Sequence, residues 1–258
     1  MLSFKLEGMG KIMNIWWIQR NIRIVDNRTL SAALHENNGL VPVFILNQKI
    51  LENQHSISCK DRFLIPVLKS FDKELRLLGS KLIVRVGNPV EEIIKLAEEC
   101  GANKIFTDAD SHPDSIRIYQ QLGEKIELFF GEQPCIFPFS AVTQKNGKPY
   151  QVFTPFSRAW KALPINLQLF PSPEYLPPVP DIFSVSLPIP SHLDAFPAEE
   201  FQAAMRLKSF IDGPIYTYSE GRNMLDKDGT SFISPYFRWG LLSKRQALHA
   251  AFDTKQNS

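Results

Sequence analysis

Residues 81–107, KLIVRVGNPVEEIIKLAEECGANKIFT, read as one strand–helix–strand unit. Leu82, Ile83, Val84 and Val86 form a short apolar run, which predicts a strand over 82–86. Asn88-Pro89 then supplies an N-cap and a proline at the first helical position, where the missing N–H removes no hydrogen bond. Glu91 stands where a capping box places its acid. Val90, Ile93, Ile94 and Ala97 share one helix face, and a further strand follows at 104–107.

The alternation extends in both directions. Towards the start, 14–18 (NIWWI) reads as a buried strand, 30–36 as a short helix and 41–46 as a second strand. A longer helix places Leu64, Leu68, Phe71, Leu75 and Leu78 on one face, with Gly79 as its stop and Pro66 expected in its first turn. Towards the end, 114–122 reads as a helix and 125–129 as a fifth strand. Strands alternating with helices at this spacing predict a Rossmann-like, doubly wound α/β domain over 13–135, a five-stranded parallel sheet covered on both faces. No G-x-G-x-x-G is present, so the usual dinucleotide fingerprint is missing.

Residues 1–12 read as an extension. Residues 136–196 read as a connection, beginning with a hairpin that turns at Asn146-Gly147 and continuing as a proline-rich stretch with no period. From 197 to 258 the texture is helical. Glu199 and Glu200 sit in the first turn of a helix whose face is expected to run through Phe201, Ala204, Leu207 and Ile211. Ser243 and Gln246 form a capping box for another helix. This all-α region holds only about sixty residues, which is marginal for a core of its own.

Composition excludes several classes. The formal net charge of +2 carries no nucleic-acid signature. No apolar run approaches the ~18 residues of a membrane span, and the start shows no clear signal-peptide pattern. Cys59, Cys100 and Cys135 match no zinc or redox spacing and read as reduced thiols in or near the core of a cytoplasmic protein. The five histidines form no metal motif.

The chemistry is concentrated in 216–246, YTYSEGRNMLDKDGTSFISPYFRWGLLSKRQ. Gly229 permits a tight turn, and Thr230, Ser231 and Ser234 offer hydroxyls. Ser234-Pro235 reads as a helix start, and free N–H groups flanked by hydroxyls suit a phosphate. The same residues also serve as ordinary caps. Trp16 and Trp17 read as strand core, and Trp239 as packing rather than redox chemistry.

The pattern Tyr218-x-x-x-Arg222-Asn223, Asp228-Gly229-Thr230-Ser231-x-Ile233-Ser234-Pro235-Tyr236 and Gly240-x-Leu242-Ser243-x-Arg245-Gln246 resembles the start of the flavin domain of the photolyase/cryptochrome family. YQVFTPFSRAW (150–160) resembles the segment closing that family's first domain, and WIQRNIRIVDN (17–27) resembles its opening motif. The resemblance covers 13–253. It implies a Rossmann-like antenna domain followed by a truncated all-α flavin domain. It also implies that Tyr218 and the loop Thr230, Ser231, Phe232, Ile233 and Ser234 hold FAD, and that Arg222 faces DNA.

The implied activity is that of a monomeric deoxyribodipyrimidine photolyase, in which reduced FAD, excited by blue light, passes an electron to a pyrimidine dimer flipped out of DNA. A light-harvesting antenna of folate or deazaflavin type is a further implied cofactor. Asp108 and His112, after the fourth strand, are its candidate ligands, with plain loop and cap roles as the competing reading. Two departures stand out: Gln19 replaces a basic residue and Asn21 an acid. Family members also continue well past residue 258, so the chain reads as an inactive fragment. The alternatives are a cryptochrome-type photosensor and a lone nucleotide-binding α/β module.

Overall fold

A computed structural model describes residues 12–48, 59–133, 135–188 and 196–256. The expected extension at 1–12 lies outside them apart from Ile12. Five strands, β1 (Met13–Ile18), β2 (Gly39–Leu46), β3 (Ile83–Val86), β4 (Ala102–Thr107) and β5 (Glu127–Phe130), form one parallel sheet in the order β3-β2-β1-β4-β5. Helices α1 (Arg28–His35), α2 (Cys59–Leu77), α3 (Pro89–Cys100) and α4 (Pro113–Gly123) complete the alternation. The expected doubly wound fold is therefore present.

β1 lies at the centre and every residue in it is buried. Because strand side chains alternate, its two tryptophans serve opposite cores. Trp16 meets Phe71 of α2 edge-on at 5.8 Å, in the cluster that includes α1 and α2. Trp17 meets Tyr119 of α4 at 6.0 Å, in the cluster with α3 and α4. Local chemistry starts and stops the helices. Asn27 and Asn88 accept the Leu30 and Val90 N–H groups at 3.0 and 2.9 Å, and Gly101 ends α3 at φ +65. Each such cap contributes about 1 kcal/mol.

Three local expectations need correction. Pro66 lies inside α2 rather than in its first turn, because the helix begins at Cys59. One backbone hydrogen bond is given up there, while neighbouring Leu64, Val67 and Leu68 are buried. Glu91 makes no return bond to Asn88, so α3 has the Asn cap and a first-turn acid but not the complete box. The hairpin around Gly147 (φ +77) shrinks to one antiparallel bridge, Thr143–Pro149, since proline has no N–H to extend a ladder.

After α5 (Phe153–Lys161) the described chain carries no helix or strand up to residue 188. It still packs. Ser184 Oγ accepts the Val84 N–H at 2.9 Å, and the Val185 N–H donates to the Val84 carbonyl at 2.9 Å. The connection therefore covers the β3 edge of the sheet, which would otherwise be open to pairing.

Helices α6 (Glu200–Ile211), α7 (Tyr218–Gly221), α8 (Ser234–Trp239) and α9 (Lys244–Gln256) follow. They do not rely on a core of their own. Ala203, Leu207, Tyr236, Trp239, Leu241 and Leu242 join the cluster under α1 and α2, and Tyr236 meets Phe63 at 6.0 Å. The buried face of α6 is also rotated from expectation. Leu207 and, in part, Ile211 pack inward as expected, but Ala203 takes the place of Ala204 and Phe201 is 67% exposed. Glu200 fixes this rotation by accepting the Ile24 and Val25 N–H groups at 2.7 and 2.9 Å.

Candidate functional site

The chain leaving β1 is tied to the helical region by buried charge. Asp26, in the left-handed region at φ +50, is fully buried. Its carboxylate accepts from the Arg245 guanidinium at 3.1 Å, from the Phe170 N–H at 2.9 Å and from the Ser243 hydroxyl. Arg245 also binds both oxygens of Glu132, at 2.5 and 3.2 Å. Arg23, 2% exposed, donates to the carbonyls of Asp26 and Gly240 and to Asn21 Oδ1, and lies 4.0 Å from Glu132. Two guanidiniums thus face two carboxylates. The box expected at α9 is complete: Ser243 Oγ accepts the Arg245 and Gln246 N–H groups, and Gln246 accepts the Ser243 N–H.

The sheet order reverses between β1 and β4, and a parallel sheet opens a crevice where that happens. A cleft of about 390 Å³ lies there, walled by Gln19, Asn21, Asp108 and Tyr119 from the sheet side and by Ser234 and Arg238 from α8. Gln19, the neutral residue at an expected basic position, donates to Thr107 Oγ1 and the Tyr119 hydroxyl, both at 3.0 Å. The Tyr119 hydroxyl donates to the Asp108 carbonyl at 3.1 Å. Burial pushes its pKa up to about 12, so it stays a protonated donor.

The two antenna candidates part company. Asp108 is on the cleft wall, but its carboxylate is buried and bound by the Thr29 hydroxyl, and burial raises its pKa. His112 is outside that wall. Its Nδ1 caps α4 by accepting the Asp114 N–H at 3.3 Å.

Of the flavin candidates, Tyr218 opens α7, Thr230 follows a glycine packed on α7, and Ser234 opens α8. Gly221 and Gly229 lie backbone against backbone: a Cβ on Gly229 would fall 2.3 Å from the Gly221 carbonyl. This contact seats the loop after Gly229 against α7, where Tyr218 meets Phe210 edge-on at 5.9 Å and lies under the Arg222 guanidinium at 5.7 Å. Phe232 adopts φ +51, with the Arg206 guanidinium 5.1 Å from its ring centroid. Among the described residues, the hydroxyls of Thr230, Ser231 and Ser234 carry no side-chain hydrogen bond. Ser234 is the first residue of α8 rather than its cap.

Sequence reasoning did not single out Glu132, Tyr119 or Lys244. Glu132 and Tyr119 gain their roles from partners about a hundred residues away, and no local pattern marks them. The cysteine expectation needs one change: Cys100 is half-buried, but Cys135 is exposed, and both are free. No cluster of metal-ligating side chains occurs among the described residues, and none of their helices is long and apolar enough to cross a membrane.

A doubly wound sheet with a polar cleft at its switch point and a helical region sharing its core defines the class of molecule. The sequence model of the DNA photolyase family matches residues 14–177, and the chain belongs to that family. It is 27% identical to the deoxyribodipyrimidine photo-lyase of Synechococcus sp. (strain ATCC 27144 / PCC 6301 / SAUG 1402/1), over 92% of this chain and 53% of that protein. It is also 27% identical to an uncharacterized 31.6 kDa protein of Synechococcus sp. (strain PCC 6716), over 92% of this chain and 88% of the other. The fold matches the crystal structure of a bacterial class III photolyase from Agrobacterium tumefaciens, with a TM-score of 0.85 and 23% identity, over 97% of this chain and 55% of that one. The chain thus spans about half the length of the photolyases it matches.

Proposed function

We propose that this chain forms the antenna domain and the flavin-phosphate end of a photolyase-type flavoprotein that repairs pyrimidine dimers in DNA under blue light. One observation carries the reading: three hydroxyls have no hydrogen-bond partner among the described residues, those of Thr230 and Ser231 on the loop that leaves the Gly221–Gly229 contact near Tyr218, and that of Ser234 at the start of α8. Hydroxyls without other partners are suited to the diphosphate of FAD, with Phe232 and Ile233 carrying the backbone between them. Bound FAD would supply the photoexcited electron for splitting the dimer.

The remaining residues bind and orient. Arg222 is exposed and has no carboxylate partner among the described residues, which suits a DNA phosphate. The switch-point cleft would take a second, light-harvesting chromophore of folate or deazaflavin type, with Asp108 in its wall and the Tyr119 hydroxyl as a fixed dipole. His112 is left as the α4 cap. The whole protein would act as a cytoplasmic monomer.

Thr230→Ala should weaken FAD binding about tenfold, the loss expected for one charge-assisted hydrogen bond. Fluorescence titration of the polypeptide extended to the length of its relatives reads this directly. Unchanged affinity would remove the loop from the flavin site. The same polypeptide, irradiated with dimer-containing DNA, separates repair from sensing: bound flavin with dimers left intact would mark a cryptochrome-type photosensor.

A further inference from the structure

The largest cleft among those described has no part in the flavin or antenna reading. It measures about 610 Å³ and lies between the start of α1, the segment after β5, the connection at 164–171 and the start of α9. It shares only Asn21 and Lys244 with the switch-point cleft. Its volume is within the range of small-molecule sites.

The charge of its walls is unbalanced. Arg23 and Arg245 are matched by Asp26 and Glu132. Arg28 and Lys244 also line the cleft, and neither has a carboxylate at salt-bridge distance among the described residues. Burial, and after it the charge of Arg23, lowers the pKa of Lys244. A cation held in that setting is stabilised by an anion placed beside it. The rest of the wall is mixed: Phe137 offers apolar surface, and Asn166 an amide. A ligand that satisfies the whole wall has a doubly charged end and a flat ring with polar edges.

We propose that this cleft binds a mononucleotide-sized phosphate monoester, with its phosphate between Arg28 and Lys244 and its ring towards Phe137. The site is independent of the flavin reading and does not require it.

Cys135 lines the same cleft with an exposed thiol, which makes it a local reporter. Adenosine monophosphate, titrated calorimetrically into the 258-residue chain, should bind and should slow the reaction of Cys135 with N-ethylmaleimide, followed by peptide mass spectrometry. Arg28→Gln and Lys244→Gln should each weaken binding about tenfold, and protection of the thiol should fade in parallel. Arg28 and Lys244 are exposed as residues, with only the Lys244 ammonium desolvated in the cleft, so the variants should keep the fold of the parent, which circular dichroism can verify. Adenosine without its phosphate should fail to compete. The proposal is overturned by absence of binding, by binding that leaves Cys135 equally reactive, by variants that bind like the parent, or by adenosine competing as well as its monophosphate.

Discussion

Asp26→Ala should lower the stability of the chain by about 3–5 kcal/mol, the loss expected when one member of a buried charge network is removed. The carboxylate is fully buried and answers a guanidinium, a backbone N–H and a hydroxyl from three separate stretches, at Arg245, Phe170 and Ser243. Alanine leaves those donors without their acceptor. Arg23 and Arg245 then share Glu132 as the one carboxylate within 4.0 Å among the described residues, so the network carries an excess of positive charge. The damage should centre on the join between α9 and the sheet, because Arg245 and Ser243 both belong to that join. Asp110→Ala provides the comparison. Asp110 pairs with the half-exposed Arg20 at 3.2 Å, and such a surface pair contributes about 0–1 kcal/mol. Urea titrations of both variants, with equal slopes, give the two losses. If Asp26→Ala were no more harmful than Asp110→Ala, the buried network would not be what joins the two regions.

That network also marks the limit of what could be read without coordinates. The sheet was legible because its signals are local. NIWWI is a run of apolar residues bounded by polar ones, and Asn88-Pro89 and Ser243-x-x-Gln246 carry their own helix starts. Asp26 and Arg245 are 219 positions apart, and Arg245 and Glu132 are 113 apart, so no window contains the pairs. The opening motif at 17–27 contains Arg23 and Asp26, but nothing in it names their partners. The rotation of α6 was lost for a related reason. Periodicity ranks faces by apolar content, which favoured Phe201. The decisive contact is a polar one, from Glu200 to two backbone N–H groups beyond the far end of β1. Pro66 sits inside α2 rather than in its first turn because buried packing on both sides of it outweighs one missing bond.

The candidate site divides along the same line. The hydroxyls at 230, 231 and 234 were visible as residue types at a spacing. What braces them is the contact of Gly229 with Gly221, and a glycine in sequence does not say what approaches it. The switch-point cleft follows from strand order, which alternation of strands and helices leaves open. Once β1 and β4 are neighbours, the residues just past their ends, Gln19 and Asp108, must face one another across the crevice.

Glu200 provides a test of the join through pH. It accepts two backbone N–H groups, which favours its charged form, yet it is buried near a second acid, Glu74. Burial dominates and pushes its pKa up to about 7 from the ordinary 4.5; burial raises Glu74 as well. The folded state therefore holds a proton that the unfolded chain releases at lower pH. The resulting stabilisation is complete below about pH 4.5 and is lost as the pH rises through about 7. At ~1.4 kcal/mol per pH unit, that interval corresponds to roughly 3 kcal/mol, with Glu74 acting in the same direction. Denaturant midpoints taken from pH 5 to 8 should fall accordingly. Glu200→Gln keeps an acceptor for the Ile24 and Val25 N–H groups and cannot ionise, so its profile should be much flatter and should cross above the parent at the alkaline end. Parallel profiles for the two proteins would show that Glu200 does not take up a proton on folding, and that its two backbone bonds hold α6 in place as a carboxylate throughout.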